Sequence, residues 1–140
     1  MTEHQIKFVL YPANPREYTI DEFLNQGTVN AGWNDLLREL FAKLFALGWD
    51  GRVLQVKEKF GGLRVHLDHT SDDQFTAQFW DLIKEYEKRS LTICENCGGF
   101  PANLCRYGSW LKSQCEQCFQ IQQQEIKEVN KKYHGKETKS

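Results

Sequence analysis

Two stretches of the chain carry apolar residues at helical spacing. From Trp33 to Leu47 these are Trp33, Leu36, Leu37, Leu40, Phe41, Leu44, Phe45 and Leu47, with Asp35, Arg38, Glu39 and Lys43 opposite. That stripe predicts a core-facing helix over 33–47, with Asn30 as a candidate cap and Gly48 as its left-handed C-terminal residue. From Asp72 to Ser90 a second stripe, Phe75, Phe79, Leu82, Ile83 and Tyr86, predicts a helix over 72–90, opened by Ser71 and Gln74 as a capping box. Lys84, Glu85, Glu87 and Lys88 form its wet face.

Between them the period changes to two. Leu54, Val56 and Phe60 alternate with Gln55, Lys57 and Lys59, and Leu63, Val65 and Leu67 alternate with Arg64, His66 and Asp68. Gly61-Gly62 reads as a two-residue hairpin turn, which predicts a hairpin over 52–68. In that register Phe60 opposes Leu63, Lys59 opposes Arg64, and Lys57 opposes His66. One face is then apolar, and the other carries Lys57, Lys59, Arg64 and His66. Glu58 falls on the apolar face opposite Val65, where a carboxylate needs a partner. It is either a structural ion-pair member or a functional group.

The first thirty residues are less regular. Ile6–Tyr11 reads as a short strand ended by Pro12 and Pro15, Thr19–Glu22 has capping-box spacing, and 26–32 reads as loop. The fold expected for 1–93 is α+β, with two core helices packed on a β-hairpin. Trp33, Trp49 and Trp80 are expected in its core.

The cysteines change the picture after residue 93. Cys94/Cys97 and Cys115/Cys118 are two Cys-x-x-Cys pairs separated by seventeen residues. Each pair can turn two sulfurs toward one ion, and two pairs complete a tetrahedron, so these four are the expected ligands of one structural Zn2+. Gly98-Gly99 follows the first pair as in a zinc knuckle. Residues 104–111 read as a second hairpin turning at Gly108-Ser109, and the second pair leads into a polar helix with Phe119, Ile126 and Val129 on its apolar side. Knuckle, hairpin, then two ligands at a helix start is the order of a treble-clef zinc module, expected over 94–140. Four cysteine ligands leave no open position for water, which argues against catalytic zinc.

The fifth cysteine, Cys105, is spare: a buried small hydrophobe, an alternative ligand, or a nucleophile with Arg106 beside it and no nearby histidine base. His66 and His69, three apart, read as a polar strand end. No catalytic constellation emerges, and the chain is expected not to be an enzyme. No apolar run reaches membrane-spanning length, and the first fifteen residues lack signal-peptide layout, so a cytoplasmic protein is expected. The formal charge is −1, and four thiolates around a dication lower it by two, to −3. Such a chain is a poor default for non-specific nucleic-acid binding. The basic hairpin face nevertheless keeps nucleic acid as the alternative to a protein partner. On the second hairpin Arg106, Tyr107 and Trp110 are the residue types that anchor interfaces.

The string Val56–Val65 (VKEKFGGLRV), with Trp33 in a Gly-Trp helix start before it and Ser90, Cys94, Cys97, Gly98, Trp110, Cys115 and Cys118 after it, resembles a group of small uncharacterised proteins of bacteria and their phages. The likeness spans roughly residues 32–118. It implies prophage or mobile-element association, where small proteins often neutralise a toxin or a host-defence component. The partner expected from it is such a protein, with no membrane involvement.

Overall fold

The computed structural model describes residues 6–10, 16–68 and 73–137. Its main sheet has four strands: the hairpin and the early strand expected from the sequence, and a further strand at Arg16–Thr19. Strands β1 (Lys7–Leu10), β2 (Arg16–Thr19), β3 (Arg52–Lys59) and β4 (Gly62–Leu67) lie in the order β2-β1-β3-β4. β1 pairs antiparallel with β2 and parallel with β3, and β3 pairs antiparallel with β4. Three helices accompany this sheet: α1 (Ile20–Asn25), α2 (Asn34–Ala46) and α3 (Asp73–Ser90). A second, two-stranded sheet of β5 (Asn103–Tyr107) and β6 (Trp110–Gln114) leads into α4 (Glu116–Glu137).

Local chemistry explains the helix boundaries. Thr19 caps α1: its Oγ1 accepts the Glu22 N–H at 3.1 Å and the Glu22 carboxylate accepts the Thr19 N–H at 3.3 Å, a closed capping box. A 3-10 turn, Ala31–Trp33, precedes α2, and Gly48 ends that helix region at φ 97°. Asn30 does not cap with its side chain; its Nδ2 donates instead to Glu95 Oε1 at 2.9 Å. The Ser71–Gln74 capping box and His69 lie outside the described residues.

The core gathers Phe8, Val53, Val56, Leu63 and Val65 from the sheet under Ile20, Phe23, Trp33, Leu37, Leu40, Phe41, Leu44, Phe79, Ile83 and Tyr86 from the helical side. Phe8 meets Phe23 and Phe41 edge-on at 5.3 and 5.0 Å, and Phe41 meets Trp49 at 5.2 Å. Trp80 departs from the expectation. It is 48% exposed, with the Lys84 ammonium 5.7 Å from its ring. The stripe of α3 runs through Phe79, Ile83 and Tyr86, which leaves position 80 on the flank. Tyr86 is fully buried, yet its hydroxyl reaches out to donate to Glu39 Oε1 at 2.6 Å. That bond, opposed by burial, holds the Glu39 carboxyl below its usual range.

The β3–β4 hairpin turns one residue earlier than expected. Lys59 opposes Gly62, Glu58 opposes Leu63, Lys57 opposes Arg64, and Gln55 opposes His66. The turn residues are therefore Phe60 and Gly61, both left-handed at φ 55° and 80°. Glu58 explains the choice. Its Oε2 accepts the Gly61 N–H at 2.8 Å, so the carboxylate on the apolar side ties down the turn. Phe60 is then pushed out of the core and is 64% exposed. A register irregularity between Val53 and Gln55 also resets the alternation. Val53, not Leu54, is the fully buried residue there.

β4 is an edge strand, and α3 covers its free amides. The Leu63 N–H donates to Ser90 Oγ at 2.9 Å and the Val65 N–H donates to Glu87 Oε2 at 3.0 Å. Ser90 is fully buried and Arg64 lies 3.7 Å from the same Glu87 carboxylate. An edge closed by side chains presents fewer free donors to another chain. Ser90→Ala leaves the Leu63 amide without its acceptor and is expected to destabilise the fold by about 1–3 kcal/mol. A urea midpoint indistinguishable from wild type would contradict this account of the edge.

Candidate metal centre

The four cysteines of the two Cys-x-x-Cys pairs come together. One sulfur from each of Cys94, Cys97, Cys115 and Cys118 lies within 4.8 Å of every other. Cys97 Sγ and Cys115 Sγ are 3.7 Å apart. Metal–sulfur bonds of about 2.3 Å at tetrahedral angles set sulfurs about 3.8 Å apart, so the quartet fits one ion.

Backbone geometry makes each pair a turn. Cys94 N–H donates to Gly99 O and Gly98 N–H donates to Cys94 O, both at 2.8 Å. Gly98 is left-handed at φ 79°, and the next amide, Gly99 N–H, donates to Cys97 Sγ at 3.3 Å. The second pair straddles the start of α4. Phe119 N–H donates to Cys115 O at 3.0 Å as the helix begins, and the Cys118 amide is 3.5 Å from Cys115 Sγ. Amides aimed at sulfur, with a helix N-terminus beside them, favour thiolates.

The electrostatics of the thiols suit a cation. Burial raises the Cys94 pKa, but backbone amides at Cys115, Cys97 and Asn96 outweigh it and bring it down to about 7. Burial and the neighbouring sulfurs push Cys118 well up. Four thiolates at these distances cannot all ionise unless positive charge lies among them. Cys105 stands outside the quartet. It is buried, its Sγ is 3.4 Å from Asn103 O, and burial pushes its thiol up, which is the opposite of an activated nucleophile.

The knuckle is seated on the helical core by contacts that sequence reasoning missed. Gly32 N–H donates to Glu95 O at 2.9 Å, and Trp33 Nε1 donates to Ile93 O at 3.1 Å. A Cβ at Gly32 would stand 2.1 Å from Cys94 O and 2.5 Å from Glu95 C. The Glu95 side chain, 1% exposed, accepts from Asn30 Nδ2 at 2.9 Å and from the Ser113 N–H at 3.3 Å, with Lys112 Nζ 3.9 Å away. Burial raises its pKa against these favourable partners. The one signal in the sequence was a carboxylate inside a Cys-x-x-Cys knuckle.

The remaining sequence-chosen residues divide between two surfaces. Lys57, Lys59, Arg64 and His66 share one face of β3–β4, with Lys59 and His66 exposed and Lys57 and Arg64 half-buried. On β5–β6, Arg106 is exposed and Trp110 is 65% exposed. Tyr107 turns inward, donating its hydroxyl to Gln114 Oε1 with its ring 6.0 Å from Phe119. The two surfaces are joined where the β3–β4 turn packs on the strands of β5–β6. Ser113 Oγ donates to Gly61 O at 2.6 Å, and a Cβ at Gly61 would be 2.6 Å from Leu104 Cδ1 and 3.3 Å from the Lys112 backbone.

No family model matches the chain, and neither does any curated protein or solved structure. Among the described residues no helix is long and apolar enough to cross a membrane.

Elemental analysis of the purified protein should find about one tetrahedrally bound metal ion per chain, and Cys94→Ser should lower that content sharply. Gly32→Ala should cost about 3 kcal/mol, since the methyl meets backbone that the knuckle holds fixed. A fully metallated Gly32→Ala protein of unchanged stability would refute the close seat.

Proposed function

We propose that this chain is a small non-catalytic zinc protein whose metal centre, of treble-clef type, holds the second hairpin against the first so that their turns form a docking surface for a partner protein. The single observation carrying this reading is Phe60. It occupies a left-handed conformation at φ 55° with 64% of its surface exposed. A bulky residue in that region costs roughly 1–2 kcal/mol, and here the strain returns no burial. Outlier conformations of this kind persist where something other than stability selects them.

Phe60 does not stand alone. It lines a groove of about 200 Å3 with Glu58, Ser109, Trp110 and Leu111. Trp110 is 65% exposed, and Leu104, packed against Gly61, is 52% exposed. Rigidly held aromatic and aliphatic side chains on neighbouring turns are the usual anchors of protein interfaces. Lys57, Lys59 and Arg64 adjoin Phe60 in sequence, with Lys59 Nζ 5.5 Å from its ring, and Arg106 lies on the Trp110 hairpin. The chemistry complementary to this surface is an apolar segment flanked by carboxylates. Thiolate ligands in a closed four-coordinate site favour zinc with a structural role. The resemblance to prophage-associated proteins adds a toxin or host-defence component of the cytoplasm as the class of partner.

The second reading is nucleic-acid binding. Lys57 and Arg64 face each other across β3–β4 with Lys59 and His66 on the same side, beside aromatic rings able to stack on bases. The Glu87 carboxylate near Arg64 and the chain's net charge of −1 weigh against it.

Phe60→Gly separates fold from function. Glycine accepts the left-handed turn, so the variant should be up to about 1 kcal/mol more stable, while losing the partner. The test is a pull-down from the protein's own host at moderate salt, with and without nuclease, comparing wild type, Phe60→Gly and Trp110→Ala. A protein retained by wild type after nuclease and lost from both variants is the expected result. Binding lost with nuclease, or on Lys57→Ala with Arg64→Ala but not with Phe60→Gly, would replace this reading with the nucleic-acid one.

A further inference from the structure

The four cysteines of the candidate metal centre are unequally protected. Cys94 is buried, Cys115 and Cys118 are half-buried, and Cys97 is exposed. Cys97 and Gly98 also line a cavity of about 400 Å3 between the knuckle, the start of α2 and the end of α3. Asp35, Arg38, Glu39 and Arg89 form part of the same wall. Arg38 lies 2.9 Å from Asp35 and Arg89 lies 3.5 Å from Glu39, so the charges of that wall balance. Such a space suits a small uncharged polar molecule. Hydrogen peroxide is little larger than water, which takes about 30 Å3 in the liquid.

Oxidation of cysteine follows thiolate character and exposure. A thiolate bound to a metal keeps its negative charge, so exposure decides among the four, and it favours Cys97. The second sulfur of a disulfide must then come within about 2.0 Å of the first. Cys94 is poorly placed to move, because its N–H is bonded to Gly99 O and its carbonyl to Gly98 N–H. Cys118 is fixed within the first turn of α4. Cys115 stands between β6 and α4, in neither element, and its sulfur is 3.7 Å from that of Cys97. It is the neighbour that regular structure constrains least.

We propose that Cys97 is an oxidation site, where hydrogen peroxide entering the cavity converts the metal-bound thiolates of Cys97 and Cys115 into a disulfide and the ion is released. Cys97 Sγ attacks one peroxide oxygen, the O–O bond breaks, and hydroxide leaves, giving a sulfenic acid. Cys115 Sγ then attacks the Cys97 sulfur, the S–S bond forms, and a second hydroxide leaves. The two sulfurs together lose two electrons, the peroxide gains them, and two protons from solvent convert the hydroxides to water. Cys94 and Cys118 alone do not complete a tetrahedral site, so the ion departs. A small dithiol reverses the oxidation by exchange and restores both ligands. The inference rests on the metal reading of the quartet and is independent of the docking surface.

The test starts with the metal content of the reduced full chain, which separates the two readings. A chain without metal overturns both. The metallated chain is then treated with hydrogen peroxide in the presence of a chromogenic chelator. Metal should be released in step with the loss of two thiols, and dithiothreitol with added zinc should restore it. After alkylation and tryptic digestion, peptide 90–106 should be linked to peptide 113–127, with fragment ions placing the bond at Cys97 and Cys115. A Cys94–Cys97 bond would lie within the first peptide and a Cys115–Cys118 bond within the second. Brief exposure of the metallated chain to N-ethylmaleimide should label Cys97 faster than Cys94 on the order of tenfold. Cys105→Ser should release metal as wild type does, since Cys105 is buried and outside the quartet. Metal retained under peroxide overturns the proposal. So does a first disulfide that omits Cys97, or one that needs Cys105.

Discussion

The structure depends on a place where a side chain is missing. Gly32 lies so close to the Cys94–Glu95 backbone that a methyl group would overlap it. The N–H of Gly32 and the carbonyl of Glu95 are joined there, and the next residue, Trp33, is fully buried and bonded to Ile93. The metal-ligand knuckle is thereby fixed to the start of α2. From that point Glu95 continues outward, buried and bonded to both Asn30 and the Ser113 backbone. A buried carboxylate is stabilising only when its partners are all present. The knuckle, the α2 start and β6 are therefore coupled through one side chain.

Metal binding at the quartet would reach beyond its own loop for this reason. Cys115 and Cys118 hold the end of β6 and the beginning of α4, while Ser113 on β6 bonds to the Gly61 carbonyl at the β3–β4 turn. An ion closing the cysteine quartet would hold the end of β6 where Ser113 meets the β3–β4 turn. Without it, burial and the neighbouring sulfurs hold the Cys118 thiol toward its neutral form.

What the sequence disclosed was local. The stripes of α2 and α3, the Thr19–Glu22 capping box, the left-handed Gly48, the Gly108-Ser109 turn and the cysteine spacing all act over a few residues, where propensity and period decide. What it concealed was set by distant neighbours. β2, with the sequence REYT, has no apolar alternation and is a strand because β1 pairs with it. Asn30 looked like a cap, but a residue 65 positions away claims its amide. The turn position was ambiguous because Gly61 and Gly62 both suit a hairpin tip. Glu58 and the second hairpin select between them. The cysteines announced a metal centre, yet nothing in their spacing indicated what the knuckle rests on.

The segment from Lys57 to Arg64 shows how far fold requirements account for a sequence. Glu58 holds the Gly61 amide. Gly61 makes room for Leu104 and the Lys112 backbone, and Gly62 for Leu91, whose Cδ2 would be 3.2 Å from an added Cβ. Leu63 is in the core, with its amide on Ser90, and Arg64 lies near Glu87. Each of these residues has a structural reason for its identity. Phe60 has none. A glycine or asparagine would satisfy its backbone better, and its ring is mostly in solvent. Lys57 and Lys59, on the uncovered face, are likewise free to be other polar residues. When the demands of folding are subtracted, one strained aromatic and two lysines remain, beside the exposed Trp110. Residues whose presence the fold does not explain are where selection for binding is to be sought.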